Sequence, residues 1–399
     1  MNSQDYINLE KQYGASNYES LEVVLSKGEG VWVWDVEGKK YMDMLSAYSA
    51  VNHGHRHPKI IGAMTEQMNR ITLTSRAFFN DRLPEFCKTV SDFTGKEMFL
   101  PMNTGAEGVE TGIKAMRKWG YEVKGIEAEK GEIIVFENNF HGRTTTIVSF
   151  STDDNAHKNF GPFTPGFVIV PYNDLDAIRN AITDKTIGIL IEPIQGEAGI
   201  NVPDDGYLKG IREICDKHNI LFAADEIQTG FGRTGKRFCV DHEGVEPDLF
   251  ILGKALGGGV FPVSGVAANK DILGVFKKGQ HGSTFGGNPI ASIVGKTSIE
   301  VLQDEKLIEK SAELGEYFMG KLKTLIGDVI ENVRGKGLLI GIDIKPSAGA
   351  AHDYVVKLRD AGIIAKETHD TIIRFAPPLV ITKEELDWAF EIVKKVFVK

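Results

Sequence analysis

Residues 220–226 read Ile220-Leu-Phe-Ala-Ala-Asp-Glu226, an uninterrupted apolar run that ends directly in two acidic residues. A second run, Leu249-Phe-Ile-Leu-Gly253, ends in the same way at Lys254. Short continuous apolar runs are typical of strands that are buried on both faces of a parallel sheet. Each strand is therefore predicted to place a charged side chain at its carboxyl end, where α/β proteins collect their functional groups.

The pattern extends outward over roughly residues 95–290, where apolar runs alternate with amphipathic segments of helical length. The other runs are Met98–Leu100, Ile133–Phe136, Phe167–Val170 and Ile187–Ile191, and the helical segments include Gly105–Trp119 and Tyr207–His218. This alternation predicts an α/β fold whose large domain has a mostly parallel sheet flanked by helices.

The two ends of the chain have different patterns. Near the start, two β-prone runs flank the turn residues Asp35–Gly38 and predict a hairpin. After residue 290 long helices dominate, and the last one is predicted to begin at a capping box over Thr382–Glu385. We expect an N-terminal segment with a hairpin at 1–45, a large α/β domain at 46–287 and a small C-terminal α+β domain at 288–399.

Composition excludes several classes of protein. The 399 residues carry a formal net charge of -9 with no clustered basic face, so no nucleic-acid partner is expected. No apolar run approaches the roughly 20 residues that cross a bilayer, so no membrane partner is expected either. The three scattered cysteines, Cys87, Cys215 and Cys239, predict free thiols, and the polar start lacks a signal peptide. We expect a cytoplasmic protein.

Lys254 and Asp225 suggest a specific chemistry. A desolvated lysine loses its proton easily and attacks aldehydes, and a carboxylate can keep a pyridinium nitrogen protonated. These are the two groups that a pyridoxal 5'-phosphate (PLP) site requires. Taken singly, Asp225 could simply cap a turn and Lys254 could simply reach solvent. Their position at two strand ends, with Gly257-Gly-Gly259 following, favours the cofactor site.

A phosphate-carrying cofactor also needs a binding cup, and the sequence offers two candidates. Asn103-Thr-Gly-Ala-Glu107 follows a predicted strand and opens a helix, whose N-terminal N–H groups bind phosphate. Gly282-Ser-Thr284 could donate hydroxyl hydrogen bonds.

Two other patterns are weaker. Gly230-Phe-Gly-Arg-Thr-Gly235 matches GxGxxG, which would favour a nucleotide-dependent oxidoreductase, but no amphipathic helix follows. His53, His55 and His57 alternate, yet no fourth ligand is spaced for zinc. We expect a loop-packing role for the histidines and predict no metal site.

The run Leu221–Gly235, followed by Gly253-Lys-Ala-Leu-Gly-Gly-Gly259, resembles the signature of the class-III PLP-dependent aminotransferases. Further segments resemble the ornithine aminotransferases within that class, over nearly the whole chain from about Tyr13. They are Ser46–Asn52, Leu73–Phe78, Pro101–Gly105, Asn139–Thr144, Glu192–Gly199, His281–Thr284 and Ile373–Pro378. The departures include His141, where an aromatic residue also occurs in the family, and Glu19-Ser20 after Tyr18.

The resemblance implies the PLP-dependent transferase fold of type I, a homodimer and a role for each matching residue. Lys254 would form the Schiff base and move protons, and Asp225 would pair with the pyridine nitrogen. The other cofactor-binding residues would be Gly105 and Ala106 at the phosphate, Phe140 and Ile227 on the ring faces, Gln228 at the ring hydroxyl, and Ser283 and Thr284 at the neighbouring subunit's phosphate. The substrate-binding residues would be Tyr18, Tyr48, Arg143, Glu197 and Arg374.

The implied reaction is a ping-pong transfer of the δ-amino group of L-ornithine to 2-oxoglutarate. One pocket must then accept two substrates, of which only 2-oxoglutarate has a carboxylate beside its reacting carbon. We hypothesise that Glu197 neutralises Arg374 while ornithine is bound and releases it for 2-oxoglutarate; the alternative is a purely structural ion pair. Acetylornithine, 4-aminobutyrate or lysine ε-aminotransferase activity, or a non-catalytic regulator with the same fold, are the other interpretations. Sequence leaves open whether arginine breakdown or proline synthesis is served.

Overall fold

The computed structural model describes residues 1–398, which form three β-sheets of seven, four and four strands. Across the seven-stranded central sheet the strands are Met98–Met102, Ser264–Ala268, Leu249–Leu252, Leu221–Asp225, Thr186–Ile191, Glu132–Phe136 and Phe167–Val170. Ser264–Ala268 runs antiparallel to both neighbours, and the remaining neighbours pair in parallel. The predicted mostly parallel sheet is confirmed.

One central strand, Ser264–Ala268, was not predicted. Its sequence Ser-Gly-Val-Ala-Ala is built mostly from small residues of weak β-propensity, although all five residues are buried. Burial between two neighbouring strands therefore determines this strand, and the local sequence does not reveal it.

Both faces of the central sheet are covered by apolar side chains. Along Leu249–Leu252, Leu249 and Ile251 pack into one core cluster with helix Gly105–Glu122, whereas Phe250 and Leu252 belong to the cluster on the opposite face. Alternate residues of a strand point to opposite faces, so a run without polar residues is what this arrangement requires.

Helices surround this sheet, and the last of those described ends at Phe397. The α-helices are Ser3–Tyr13, Pro58–Met68, Leu83–Thr94, Gly105–Glu122, Thr145–Val148, Asp154–His157, Leu175–Ala181, Tyr207–His218, Lys270–Leu273, Pro289–Asp304, Leu307–Lys323, Ala351–Asp360 and Lys383–Phe397, with 3₁₀ turns at Cys239–Glu243, Lys254–Gly257 and Pro346–Ala348. The predicted capping box is confirmed, because Thr382 and Glu385 bond reciprocally at the start of the last helix. Within residues 1–398, no helix combines the length and the apolar character needed to cross a membrane.

The two smaller sheets lie outside the central one. The predicted hairpin is confirmed: Trp32–Asp35 pairs antiparallel with Lys40–Asp43, flanked by Leu25–Glu29 and by Ile363–Ile364 from the distant C-terminal region. The third sheet contains Ile330–Lys336, Leu339–Ile344, Ile372–Phe375 and Lys366–Thr368. Helix Pro289–Asp304 packs on Pro58–Met68 and Leu83–Thr94. The predicted domain boundaries after residues 45 and 287 stay predictions.

Candidate active site

Two adjacent parallel strands bring Asp225 and Lys254 together, as the sequence predicts. Asp225 is in register with Ile251 on the neighbouring strand, and Lys254 follows that strand after Gly253. Both side chains line one cavity of about 220 Å³. The lining residues are Gly105, Ala106, Phe140, His141, Gly142, Glu192, Ile194, Glu197, Asp225, Ile227, Gln228, Thr229 and Lys254.

Lys254 has the electrostatic environment of a nucleophile. Desolvation lowers the pKa of its ammonium, against the opposing attraction of Glu197. Its backbone has a φ of 45°, a left-handed conformation that is uncommon for a residue with a side chain. Such backbone strain concentrates at functional sites, and here it begins the 3₁₀ turn that follows the strand.

The part of the cavity lined by Gly105 and Ala106 suits an anion. Gly105 and Ala106 form the first turn of an 18-residue helix, so their N–H groups lie at the positive end of its dipole. Thr104 and Glu107 close a capping box there and fix the position of this helix end. A Cβ atom at Gly105 would lie 3.2 Å from Ile227, so glycine allows the helix to approach the cavity closely.

Comparison with known proteins identifies this arrangement. The family model described as aminotransferase class-III matches residues 13–397. The chain belongs to the class-III aminotransferase family.

The similar proteins match this aminotransferase over nearly its full length. It is 60% identical over 393 residues to an ornithine aminotransferase of Geobacillus sp. (strain WCH70), covering 98% of both chains. It is 57% identical over 397 residues to an ornithine aminotransferase of Macrococcus caseolyticus, covering 100% of this chain and 99% of the relative. A crystal structure of the ornithine aminotransferase from Toxoplasma gondii superposes with a TM-score of 0.98 at 43% identity, covering 100% and 95% of the two chains. An acetylornithine aminotransferase from Elizabethkingia anophelis gives 0.91 at 49% identity, covering 100% and 99%.

PLP is the cofactor of class-III aminotransferases, and a second Toxoplasma gondii structure has PLP at partial occupancy in its active site. The cavity fits this group. It combines a lysine of lowered pKa, a carboxylate at the neighbouring strand end and the N-terminus of a long helix. Phe140 and Ile227 supply apolar surface, and Gln228 Oε1 is buried without a partner among the described residues.

Glu197 and Arg374 form an ion pair of 2.7 Å at the edge of the cavity. Burial alone would raise the pKa of Glu197, but Arg374 and Lys254 hold it below its usual value. Gln228 also donates to Glu197, at 3.3 Å. A Cβ atom at Gly196 would lie 1.4 Å from the amide oxygen of Gln228, so only glycine leaves room for that side chain.

Tyr48 lies against this ion pair on an unusual turn. Residues Ser46–Ser49 all have positive φ, between 46° and 70°, and form a left-handed turn without glycine. The Arg374 guanidinium lies 5.0 Å from the Tyr48 ring. Burial raises the pKa of the Tyr48 phenol, and the nearby Tyr18 contributes in the same direction.

The other predicted residues lie outside the cavity lining. Tyr18 is 76% exposed, and Arg143 is exposed with its guanidinium 5.5 Å from the Phe140 ring. Ser283 accepts hydrogen bonds from the Asn103 amide at 2.9 Å and from Gly286, while Thr284 is exposed. Their predicted contacts with substrate and with a neighbouring phosphate stay predictions.

Among the buried cavity residues that the sequence analysis did not assign to the site, two are titratable. His141 Nδ1 lies 2.6 Å from Asp225 Oδ2, and Glu192 accepts a hydrogen bond of 2.8 Å from the Phe140 backbone. Burial raises the pKa of Glu192 to about 7. Both lie in segments that resemble the family, at His141 and in Glu192-Pro-Ile-Gln-Gly-Glu197, but only folding brings them beside Asp225.

The GxGxxG loop and the alternating histidines, the two weaker sequence patterns, both make hydrogen bonds within the fold. In the Gly230–Gly235 loop, Arg233 is fully buried and donates to the Leu338 and Pro377 carbonyls and to Asn52. The loop is followed by turns and a short 3₁₀ helix, which is not the context of a nucleotide-binding loop. His53, His55 and His57 contact three different partners, namely the Ser298 carbonyl, Asp43 and Glu305.

Proposed function

We propose that this aminotransferase moves the δ-amino group of L-ornithine to 2-oxoglutarate. The products are glutamate and glutamate 5-semialdehyde, which cyclises to pyrroline-5-carboxylate. The main support for this proposal is the ion pair of 2.7 Å between Glu197 and Arg374 near Lys254. Such a pair suits two substrates of which only one has a carboxylate beside its reacting carbon. Full-length relatives named ornithine aminotransferases support the assignment.

Bound PLP supplies an electron sink for the carbon that loses its proton. With the cofactor bound, Lys254 Nζ would take the proton from the δ-carbon of ornithine in the first half-reaction and would return a proton to the substrate carbon in the second. Burial lowers the pKa of Lys254, which favours the neutral amine that such a proton exchange requires. Asp225 would keep the ring nitrogen of the bound cofactor protonated, and the amides of Gly105 and Ala106, at the start of their helix, would hold its phosphate.

Substrate selection depends on the residues that contact the distant carboxylate of the substrate and on those that lie beside its reacting carbon. Tyr18, Tyr48 and Arg143 hold the distant carboxylate of ornithine at the mouth of the site. Glu197 neutralises the charge of Arg374 while the δ-end of ornithine, which has no carboxylate, reacts. When 2-oxoglutarate binds, Arg374 exchanges Glu197 for the α-carboxylate, because its planar guanidinium can donate paired hydrogen bonds to either carboxylate.

The donor specificity can be measured directly. Steady-state kcat/KM should be highest for ornithine among ornithine, N-acetylornithine, 4-aminobutyrate and lysine, with 2-oxoglutarate as acceptor. The acetylornithine alternative is favoured by the Elizabethkingia anophelis structure at 49% identity. A higher kcat/KM for N-acetylornithine than for ornithine would overturn the ornithine assignment and leave the PLP chemistry intact.

The proposal extends to assembly and location. Three large exposed phenylalanines, Phe78, Phe79 and Phe285, lie on the segments around residues 73–80 and 281–286. Exposed apolar clusters of this kind mark protein interfaces, and a homodimer would bring Ser283 and Thr284 toward the partner's phosphate.

The three cysteines are free, which supports a cytoplasmic location. The cyclising product places the enzyme between arginine and proline metabolism.

A further inference from the structure

Glu197 lies on a closed loop, residues 195–201, which we call the Glu197 loop. Gln195 and Asn201 pair at its base through two backbone hydrogen bonds, of 3.0 and 3.2 Å. The base of the loop is therefore fixed, and the position of its outer residues, which carry Glu197 toward Arg374, depends on what they contact.

The third sheet, which carries Arg374, also holds the outer part of the Glu197 loop. Arg334 donates through Nη2 to the Gly199 carbonyl at 2.5 Å and through Nε to the Ile200 carbonyl at 3.0 Å. Arg334 is itself fixed by an ion pair with Asp343 on the adjacent strand of the same sheet. Two successive carbonyls of the loop are thus bound by one side chain of fixed orientation.

Thr368 holds the loop at Glu197 itself. Its hydroxyl donates to the Glu197 carbonyl. Thr368 ends strand Lys366–Thr368, which pairs antiparallel with the strand of Arg374, and Lys366 lies opposite Arg374 in the register. Adjacent strands of one sheet therefore hold both the guanidinium and the backbone that carries its carboxylate partner.

The bonds from Thr368 and Arg334 all go to backbone carbonyls of the loop, and none goes to the Glu197 carboxylate. With its backbone held, Glu197 can leave Arg374 only by rotation of its side chain. A side chain that rotates about a fixed Cα returns to the same contact, because the supporting residues keep it in the productive geometry. A loose backbone would let the carboxylate drift from Arg374 and would leave the guanidinium open to α-carboxylates.

We propose that Thr368 is a positioning residue for donor specificity, which together with Arg334 holds the Glu197 backbone so that only the side chain moves between the two half-reactions. The inference rests on the proposed exchange of Glu197 at Arg374. It predicts that loss of the Thr368 hydroxyl weakens the ion pair and makes α-carboxylates more acceptable, in the direction of Glu197→Gln but to a smaller extent. Thr368 lies outside the cavity lining, so it acts through Glu197.

Two variants separate the hydroxyl of Thr368 from the shape of the side chain. Thr368→Val is close in size and removes the donor, whereas Thr368→Ser keeps the hydroxyl. Arg334→Lys loosens the second contact and keeps the charge, since an ammonium cannot reproduce the planar fork. Thr324→Val is the matched control, because the Thr324 hydroxyl also donates to a backbone carbonyl, that of Lys321 at 2.6 Å, but outside the cavity.

The first readout is the ratio of kcat/KM for glutamate to that for ornithine as amino donors. Thr368→Val should raise this ratio about fivefold, as expected for one lost hydrogen bond of ordinary strength. Arg334→Lys should change the ratio in the same direction. Thr368→Ser should restore most of the parental ratio, and Thr324→Val should match the parent.

The second readout is the dissociation constant of glutarate, an unreactive dicarboxylate related to 2-oxoglutarate, measured by calorimetry on the PLP-loaded enzyme. Thr368→Val should tighten glutarate binding by a similar factor, because Glu197 competes less well for Arg374. The double variant of Glu197→Gln with Thr368→Val completes a cycle. If Thr368 acts through Glu197, the effect of Thr368→Val on both readouts should disappear in the Glu197→Gln background, whereas a general structural effect would persist there.

The outcomes are distinguishable. A folded Thr368→Val variant with the parental ratio and glutarate affinity would overturn the inference, as would an effect of equal size in the Glu197→Gln background. If Glu197→Gln alone leaves the ratio unchanged, the proposed exchange at Arg374 fails and the role of Thr368 fails with it. If Glu197→Gln raises the ratio and Thr368→Val does not, the exchange stands and only the role of Thr368 is lost. Should Thr368→Val not fold, Arg334→Lys in the same cycle decides.

Discussion

Glu197 is held by three neighbours, and only one of them is exchanged in the proposed reaction. It pairs with Arg374 at 2.7 Å, accepts from Gln228 at 3.3 Å and is attracted by Lys254. Its pKa lies below the usual value, so the carboxylate is ionised in the folded protein well into mild acid. The contribution of this group to stability is present above the unfolded pKa and is lost as the pH falls through the lower, folded pKa. At neutral pH the pair with Arg374 is therefore complete.

Glu197→Gln removes the charge and leaves the size almost unchanged. Arg374 then has no counter-charge, so the variant should bind α-carboxylates more readily in the amine-donating half-reaction. We expect the ratio of kcat/KM for glutamate to that for ornithine to rise about tenfold or more. Glu331→Gln, an exposed position on strand Ile330–Lys336, serves as the control. An unchanged ratio would show that the ion pair is structural and that Glu197 does not select substrates.

The loop Gly230–Gly235 shows how one element joins distant parts of the fold. Arg233 donates to the Leu338 carbonyl at 3.0 Å, to the Pro377 carbonyl at 2.6 Å and to Asn52 at 2.5 Å. Gly235 has a φ of 84°, and a Cβ atom there would lie 2.8 Å from the backbone of Ala312. The GxGxxG pattern thus reflects tight packing in this protein.

Arg233→Met should destabilise the protein by about 3 kcal/mol or more, because it leaves buried acceptors without donors. Arg233→Lys should be intermediate, since an ammonium cannot reproduce the planar fork. Equilibrium denaturation in urea measures both. Arg179→Met removes an exposed pair with Asp176 and should change the free energy of unfolding by less than about 0.5 kcal/mol. Equal losses for Arg233→Met and Arg179→Met would contradict the proposed joining role.

Across the whole molecule, the features that could be predicted from the sequence are those that leave a local pattern of apolar and polar residues. Apolar runs reveal six central strands and the two strand ends with Asp225 and Lys254, because buried parallel strands tolerate few polar residues. The left-handed turn Ser46–Ser49 contains no glycine and costs about 1–2 kcal/mol per residue, so no propensity could indicate it. It is held by contacts that only the fold supplies: Gln228 donates to the Tyr48 carbonyl and Arg374 lies over the Tyr48 ring. The partners of His141 and Arg374 are likewise distant in sequence.

The proposed dimer follows from surface that one chain leaves uncovered. Phe79 is fully exposed and Phe78 and Phe285 are 73% and 52% exposed, which is costly for a monomer in water. Phe79→Asp would place an unpaired charge in the interface and should raise the dimer dissociation constant about a hundredfold or more. Sedimentation velocity measures the assembly, and Val123→Asp, an exposed position just beyond the C-terminal end of helix Gly105–Glu122, is the control. Because Ser283 and Thr284 are proposed to reach the partner's phosphate, the monomeric variant should also bind PLP more weakly. A parent protein that sediments as a monomer, or a monomeric variant with parental PLP affinity, would contradict the shared site.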